Sequence, residues 1–227
     1  MENFSDRINW DNIFAQSDAF RKNTPCKFGF IEELFQRDFY EKLYESYPKI
    51  DETWNHTTAI GKESFSLYFE GYGKNKVVGD EDDPALSQEW NDLKRYARSK
   101  EFVENFRKFS GVPVNKLKYF HFIAMKKGGF QLPHVHNVGP STLVFMIYFS
   151  KNWKNGDPGG TYISAEDDES SIIFEPYNLD NSVAIFHDGP NAMHGARYIK
   201  KDVERHALQI TLEQYDEKLG WSGGNEV

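Results

Sequence analysis

Cysteine is almost absent: Cys26 stands alone in 227 residues. No disulfide can form within the chain, which fits a reducing, cytoplasmic setting. Long apolar stretches are missing too. The longest uninterrupted run, "LVFMIYF" at 143–149, is far too short to span a bilayer but suits a buried strand. The opening "MENFSDRINW" lacks the basic and apolar segments of a secretory signal, so neither export nor membrane association is expected. Positive charge is also scarce, with 27 Lys and Arg against 35 Asp and Glu. Duplex nucleic acid or an anionic bilayer calls for a basic stripe, and none is present, so neither is an expected partner. Internal repeats and low-complexity segments are missing as well.

Aromatic residues are abundant: 19 Phe, 12 Tyr and 5 Trp, enough for large rings to dominate a core. The first half reads helical. "FIEELFQRDFYEKLYESYP" places Ile31, Leu34, Phe35, Phe39, Leu43 and Tyr47 on one stripe, closed by Pro48. Asp83 and Pro84 announce a second helix, with Leu86, Trp90, Leu93 and Ala97 at helical spacing. The acidic run 80–83 would complement that helix's N-terminal dipole. Ser99 caps a third helix carrying Phe102, Val103 and Phe106, closed by Gly111 and Pro113.

From about residue 115 the period changes to two. "LKYFHFIAM", "FQLPHVH", "TLVFMIYF", "TYIS", "SIIFEP", "SVAIFH", "HGARYI" and "RHALQITLE" read as short strands between Gly, Pro, Asn and Asp. Helices followed by strands predict a single domain, mainly β, built as a sandwich or barrel under a helical cap. The expected boundaries are 1–114 for the cap, 115–215 for the β core and 216–227 for a C-terminal tail.

Within the strands, "GGFQLPHVHNVGP" (128–140) sets His134 and His136 one residue apart. Positions i and i+2 of a strand share a face, about two rises of ~3.3 Å apart. Both imidazoles could reach one cation, or simply stand on a wet face. His194 opens a later strand, and "RHALQITLE" begins with Arg205. There Arg205, Ala207, Gln209, Thr211 and Glu213 alternate with His206, Leu208, Ile210 and Leu212. The apolar face should pack under the helices, and the polar face should look into a cavity or, on an edge strand, into solvent.

Residues 117–213 resemble the iron- and 2-oxoglutarate-dependent oxygenases, particularly their prolyl-hydroxylase-like branch. "HVHN" (134–137) stands where the family shows His-x-Asp. It is followed by the strand ending "MIYF", "WKNGDPGGTYI" (153–163), "FEPYNLDNSVAIF" (174–186), His194, and Arg205 in the Arg-x-Ser/Ala position. The resemblance implies a double-stranded β-helix, or jelly roll, with the N-terminal helices on its larger sheet. It implies Fe(II) held by His134, His136 and His194, and 2-oxoglutarate paired through its distal carboxylate with Arg205, with Tyr148 also touching this cosubstrate. The implied activity is that of a dioxygenase that uses O2 to hydroxylate a C–H bond of a small-molecule or peptidyl substrate. Asn181 is expected to turn the chain, His187 and Asp188 to stand near the site, and His121 and His206 to be packed or surface histidines.

The departure is His136, where the family has a carboxylate. The site would carry one more positive unit, leaving three outcomes: a working three-histidine oxygenase, a site recruiting another carboxylate such as Asp188, or an inactive descendant that only binds. The same "GGFQLPHVH" also suits a cupin-type, three-histidine dioxygenase without 2-oxoglutarate. A non-catalytic jelly-roll binding protein is the third class. Arg205 discriminates, because only the 2-oxoglutarate enzyme needs it. Segment 51–80, with Trp54, Phe65, Tyr68, Phe69 and Tyr72, reads as loops that supply either specificity or plain core.

Overall fold

The computed structural model describes residues 3–70 and 81–215. In chain order the elements are α1 (Trp10–Ala15), α2 (Ser17–Lys22), β1 (Phe28–Glu32), α3 (Arg37–Glu45), β2 (Asn55–Ala59), β3 (Lys62–Glu70), α4 (Gln88–Ala97) and α5 (Lys100–Ser110). Then come β4 (Lys116–Met125), β5 (Phe130–His134), β6 (Thr142–Phe149), β7 (Thr161–Ser164), β8 (Ile172–Phe174), β9 (Asp180–His187), β10 (His194–Ala196) and β11 (Arg205–Glu213). Each period-two segment after residue 115 forms a strand.

The strands join in the order β1-β9-β6-β11-β4-β3-β5-β10-β7-β8, with β2 hairpinned onto β3. Every pairing is antiparallel, as hairpin and Greek-key connections allow. The sheet curls on itself. β3 hands over from β4 to β5 through the pairs Lys62–Gln131 and Glu63–Phe130. The two far edges, β1 and β8, meet through rings, with Phe28–Phe174 centroids at 5.5 Å and Phe30–Phe174 at 5.8 Å.

Alternation along the strands divides the protein into two layers. Leu143, Phe145, Ile147 and Phe149 of β6, with Leu208, Ile210 and Leu212 of β11, pack against the helices in one aromatic-rich core. Trp90 of α4 stacks edge-on to Phe122 and Phe149, and Phe106 of α5 to Phe145. The intervening residues Val144, Met146, Tyr148 and Ala207 face the inside of the curl. The helices therefore lie on the larger part of the sheet, as expected. Ser99 caps α5 by accepting from Phe102 N–H at 3.2 Å, and Gly111 ends the helix in the left-handed region at φ 68°.

Three segments of the first half differ from the sequence expectation. Residues 30–48 do not form one helix: Phe28–Glu32 is a strand paired with β9, and only Arg37–Glu45 is helical. Ile31, Leu34 and Phe35 are buried either way, so the apolar spacing alone could not separate the two. The helix expected from Asp83 begins at Gln88, capped by Ser87, because Asp83 instead closes a turn by accepting from Ala85 N–H at 2.8 Å. Asp82 pairs with Arg95 at the far end of α4 rather than complementing its dipole, and Asp80 lies outside the described residues. Segment 51–80 holds the β2–β3 hairpin. Trp54 and Phe69 are core and Phe65 packs against it; Tyr72 and the tail 216–227 lie outside the described residues.

The bend between β1 and α3 is fixed from a distance. Asn181 adopts φ 51°, its side chain accepts from Phe35 N–H at 3.0 Å and donates to Phe35 O at 2.8 Å, and its carbonyl accepts from Leu34 N–H at 3.0 Å. Asn181→Ala leaves the buried Phe35 N–H unpaired and Phe35 O with only the 3.3 Å bond from Asn9, and places a Cβ residue with no side-chain compensation at positive φ. It should cost roughly 2–4 kcal/mol in urea unfolding, and Asn181→Gly, which relieves only the backbone, somewhat less.

Candidate metal and cosubstrate site

The inner faces of the curl enclose a cavity of about 240 Å³ whose lining includes His134, His136, His194 and Arg205 but not Tyr148. His134 ends β5 and His194 opens β10, directly opposite each other in the β5–β10 pairing. Gly195 must be a glycine there, since a Cβ would meet Tyr162 Oη at 2.4 Å and Gln131 O at 2.5 Å. His136 lies two residues past the end of β5 rather than within it, yet its ring joins the other two. Centroid separations are 4.8 Å (His134–His136), 4.3 Å (His134–His194) and 4.9 Å (His136–His194).

Each ring is oriented by an acceptor at Nδ1. His134 Nδ1 donates to Leu132 O at 2.9 Å, His194 Nδ1 to Ala192 O at 2.7 Å, and His136 Nδ1 to Asp188 Oδ2 at 2.7 Å. With the proton so placed, Nε2 of each imidazole keeps its lone pair, the form that ligates a metal; that of His134 accepts from Gln131 Nε2 at 2.9 Å, a bond that a cation would displace. The three ligand atoms lie within 4.8 Å of one another. Three nitrogens each ~2.1 Å from one ion stand roughly 3–3.6 Å apart, so the widest pair must draw in by about 1–2 Å to share it. Burial, with the neighbouring His134, pushes the His194 imidazole down to about 3, and burial likewise lowers His134. Both stay neutral at physiological pH, as a donor set for a divalent cation requires.

Arg205 stands on the cavity wall and is 1% exposed. Its Nε donates to Gly159 O at 2.9 Å and Nη2 to Thr161 Oγ1 at 3.4 Å, while Nη1 has no partner. Gly159 sits at φ 126°, and a Cβ there would come within 2.9 Å of Trp153, so this carbonyl reaches the guanidinium only because the residue is glycine. Among the described residues no carboxylate pairs with Arg205. A buried cation with only neutral acceptors is costly unless an anion completes it.

Tyr148 lies behind Arg205, with the guanidinium carbon 5.1 Å from its ring centroid. Its hydroxyl accepts from Thr161 N–H at 2.8 Å. It supports the wall that presents Arg205. Asp188 is buried beside His136, and His187 caps the Pro140 carbonyl at 2.6 Å. His206 stacks on Tyr47 at 4.2 Å in the helical layer, as a packed histidine.

Sequence reasoning missed two cavity residues, Lys62 and His121. Burial and then the charge of Arg205 lower the Lys62 ammonium. His121 stacks on Tyr68 at 4.4 Å, and burial and then Lys62 push it down to about 3. The signal was present: "KESFSLYF" (62–69) alternates polar with apolar much as "RHALQITLE" does. Lys118, also on the cavity, is paired with Glu213 at 2.8 Å.

Acid should expose this construction. His121 is neutral in the fold, at about 3, but titrates near 6.5 once unfolded. Its contribution is complete above pH ~6.5 and is lost as pH falls from there toward ~3, because only the unfolded chain takes up the proton. His121→Phe should flatten the acid limb of unfolding free energy by up to about 1.4 kcal/mol per pH unit in that window. Urea titrations at a series of pH values check this; an unchanged slope would mean that His121 is hydrated.

No protein-family model and no curated protein matches the chain. Solved structures do. A prolyl-4-hydroxylase from Pseudomonas putida superimposes at TM-score 0.64 and 12% identity, over 90% of this chain and 100% of that one. An oxidoreductase of the 2OG-Fe(II) oxygenase family from Burkholderia pseudomallei gives 0.61 at 11% identity, over 96% and 95%. HygX from Streptomyces hygroscopicus, with nickel and 2-oxoglutarate bound, gives 0.55 at 11%, over 90% and 86%. The chain thus has the fold of the 2-oxoglutarate-dependent oxygenases, a jelly roll with helices on its larger sheet.

Proposed function

We propose that the protein is an Fe(II)- and 2-oxoglutarate-dependent oxygenase that hydroxylates a small-molecule or peptidyl substrate. The observation that carries this reading is Arg205: a fully buried guanidinium, one nitrogen of which has no partner, facing the cavity that also holds the three imidazoles. A planar fork of this kind suits a carboxylate. A cupin-type dioxygenase would have no use for it.

In this reading Nε2 of His134, His136 and His194 hold the metal, and Arg205 takes the distal carboxylate of 2-oxoglutarate. When bound, iron supplies the oxidising chemistry: 2-oxoglutarate, O2 and a C–H substrate give succinate, CO2 and the alcohol. The chain's own work is positional. Gly159, Thr161 and Tyr148 fix the guanidinium. The three Nδ1 acceptors fix the tautomers. The apolar side chains Ile123, Val144, Met146 and Phe186 keep water off the reacting end of the cavity. Lys62, on the same cavity, adds a second positive charge for a dianionic cosubstrate.

Anaerobic addition of Fe(II) and then 2-oxoglutarate should give a charge-transfer absorption band that requires both. Aerobically, the protein should release succinate. Arg205→Leu should weaken 2-oxoglutarate binding more than a hundredfold in calorimetry with metal present, in keeping with roughly 3–5 kcal/mol for breaking a buried ionic pair. Unchanged affinity would sink the cosubstrate assignment. Metal retained undiminished by His136→Ala would sink the three-histidine centre.

A further inference from the structure

We propose that Asp188, acting through His136, is the positioning residue that supplies the negative charge which His136 does not. The inference rests on reading the histidine cluster as a metal centre. With His136 in place of an aspartate, a divalent ion would meet three neutral imidazoles and keep one more positive charge than with two imidazoles and a carboxylate. The His136 side chain is partly exposed, so solvent screens part of that surplus; the buried Asp188 carboxylate behind the ring is placed to offset the rest.

Asp188 lies one imidazole's width from the metal-facing nitrogen. Its Oδ2 accepts from His136 Nδ1 at 2.7 Å, a short contact of the charge-assisted kind. The carboxylate accepts one further hydrogen bond, from Gly189 N–H to Oδ1 at 2.9 Å, and the Asp188 backbone is pinned by its N–H donating to Thr142 O at 2.9 Å. It is 5% exposed, and among the described residues no lysine or arginine pairs with it. A buried carboxylate without a cation is costly. Among the described residues its basic partner is the imidazole that would sit on the metal, so ion and carboxylate each complete the other.

The other two rings sharpen the point. His134 and His194 also donate from Nδ1, but to backbone carbonyls. Carbonyls orient a ring without adding charge. Only the ring at the departure from the oxygenase pattern is backed by a carboxylate. A carboxylate behind a ligating histidine fixes its tautomer and raises its basicity, and removing such a partner typically weakens metal binding 10–100-fold.

The test uses cobalt(II) under argon, with affinity from chelator competition and proton NMR of the exchangeable imidazole N–H groups, which paramagnetic cobalt spreads apart. Asp188→Asn should lower cobalt affinity about 10–100-fold and move one N–H resonance, leaving two in place. In a His136→Asp background the N–H donor is gone and the charge is already at the metal. There Asp188→Asn should leave affinity unchanged or raise it, because two carboxylates no longer crowd one another. Equal losses in both backgrounds, or three unmoved resonances, would reduce Asp188 to a loop-holding residue and overturn the proposal while leaving the metal centre intact. If the parent binds no cobalt, the metal centre and this role fall together. The parent spectrum gives a check that needs no substitution: one N–H must lie apart from the other two, as a donor to a carboxylate.

Discussion

The register of β11 is the constraint on which the rest depends. This strand pairs on both sides, with Ala207 opposite Ile123 on β4 and Tyr148 on β6. Because side chains alternate, a slip of one residue would turn the whole strand over. Arg205 would then face the aromatic layer beneath the helices, and Leu208 and Ile210 would face the cavity. Both consequences are expensive: a guanidinium in an aromatic core has no acceptors, and buried Leu or Ile side chains are each worth roughly 1.5–3 kcal/mol. Tyr47 adds a bolt through the layers, donating its hydroxyl to Ala207 O at 2.8 Å and Ile123 O at 3.2 Å. The helical layer thus grips the strand that carries Arg205.

The same alternation sets the electrostatics of the cavity. Its wall carries Lys62 and Arg205, which have no carboxylate partner among the described residues, Lys118 paired with Glu213, and a carboxylate turned toward His136. A protein of net charge −8 thus turns three cationic side chains toward this cavity, so bulk charge says little about what the cavity takes: what matters is which groups the strands turn inward.

Much of this was legible from sequence because strands write their faces at period two. The strands after residue 115 followed from alternation; the grouping of His134, His136 and His194 and the inward face of Arg205 came from the family resemblance, since alternation alone left the polar face of β11 open between cavity and solvent. The first half was harder for a physical reason. Ile31, Leu34 and Phe35 are spaced as a helix would space them, but β9 was available to pair with β1, and the clamp from Asn181 decides the bend from 146 positions along the chain. The β2–β3 hairpin was read as loop although its second strand alternates clearly. Asp188 shows a third kind of limit: its place beside His136 depends on the β6–β9 pairing, which no local pattern announces.

The closure of the curled sheet differs in kind from the pairings that build it. Between β1 and β8 there is no ladder of hydrogen bonds, only Phe28, Phe30 and Phe174, with Tyr177 packed 5.1 Å from Phe30 and donating its hydroxyl to Glu32 at 2.8 Å. Ring contacts have shallow, broad minima, whereas a ladder admits one register. At this seam the curl is closed by side chains, whereas the strands that carry His134, His194 and Arg205 are held by backbone ladders.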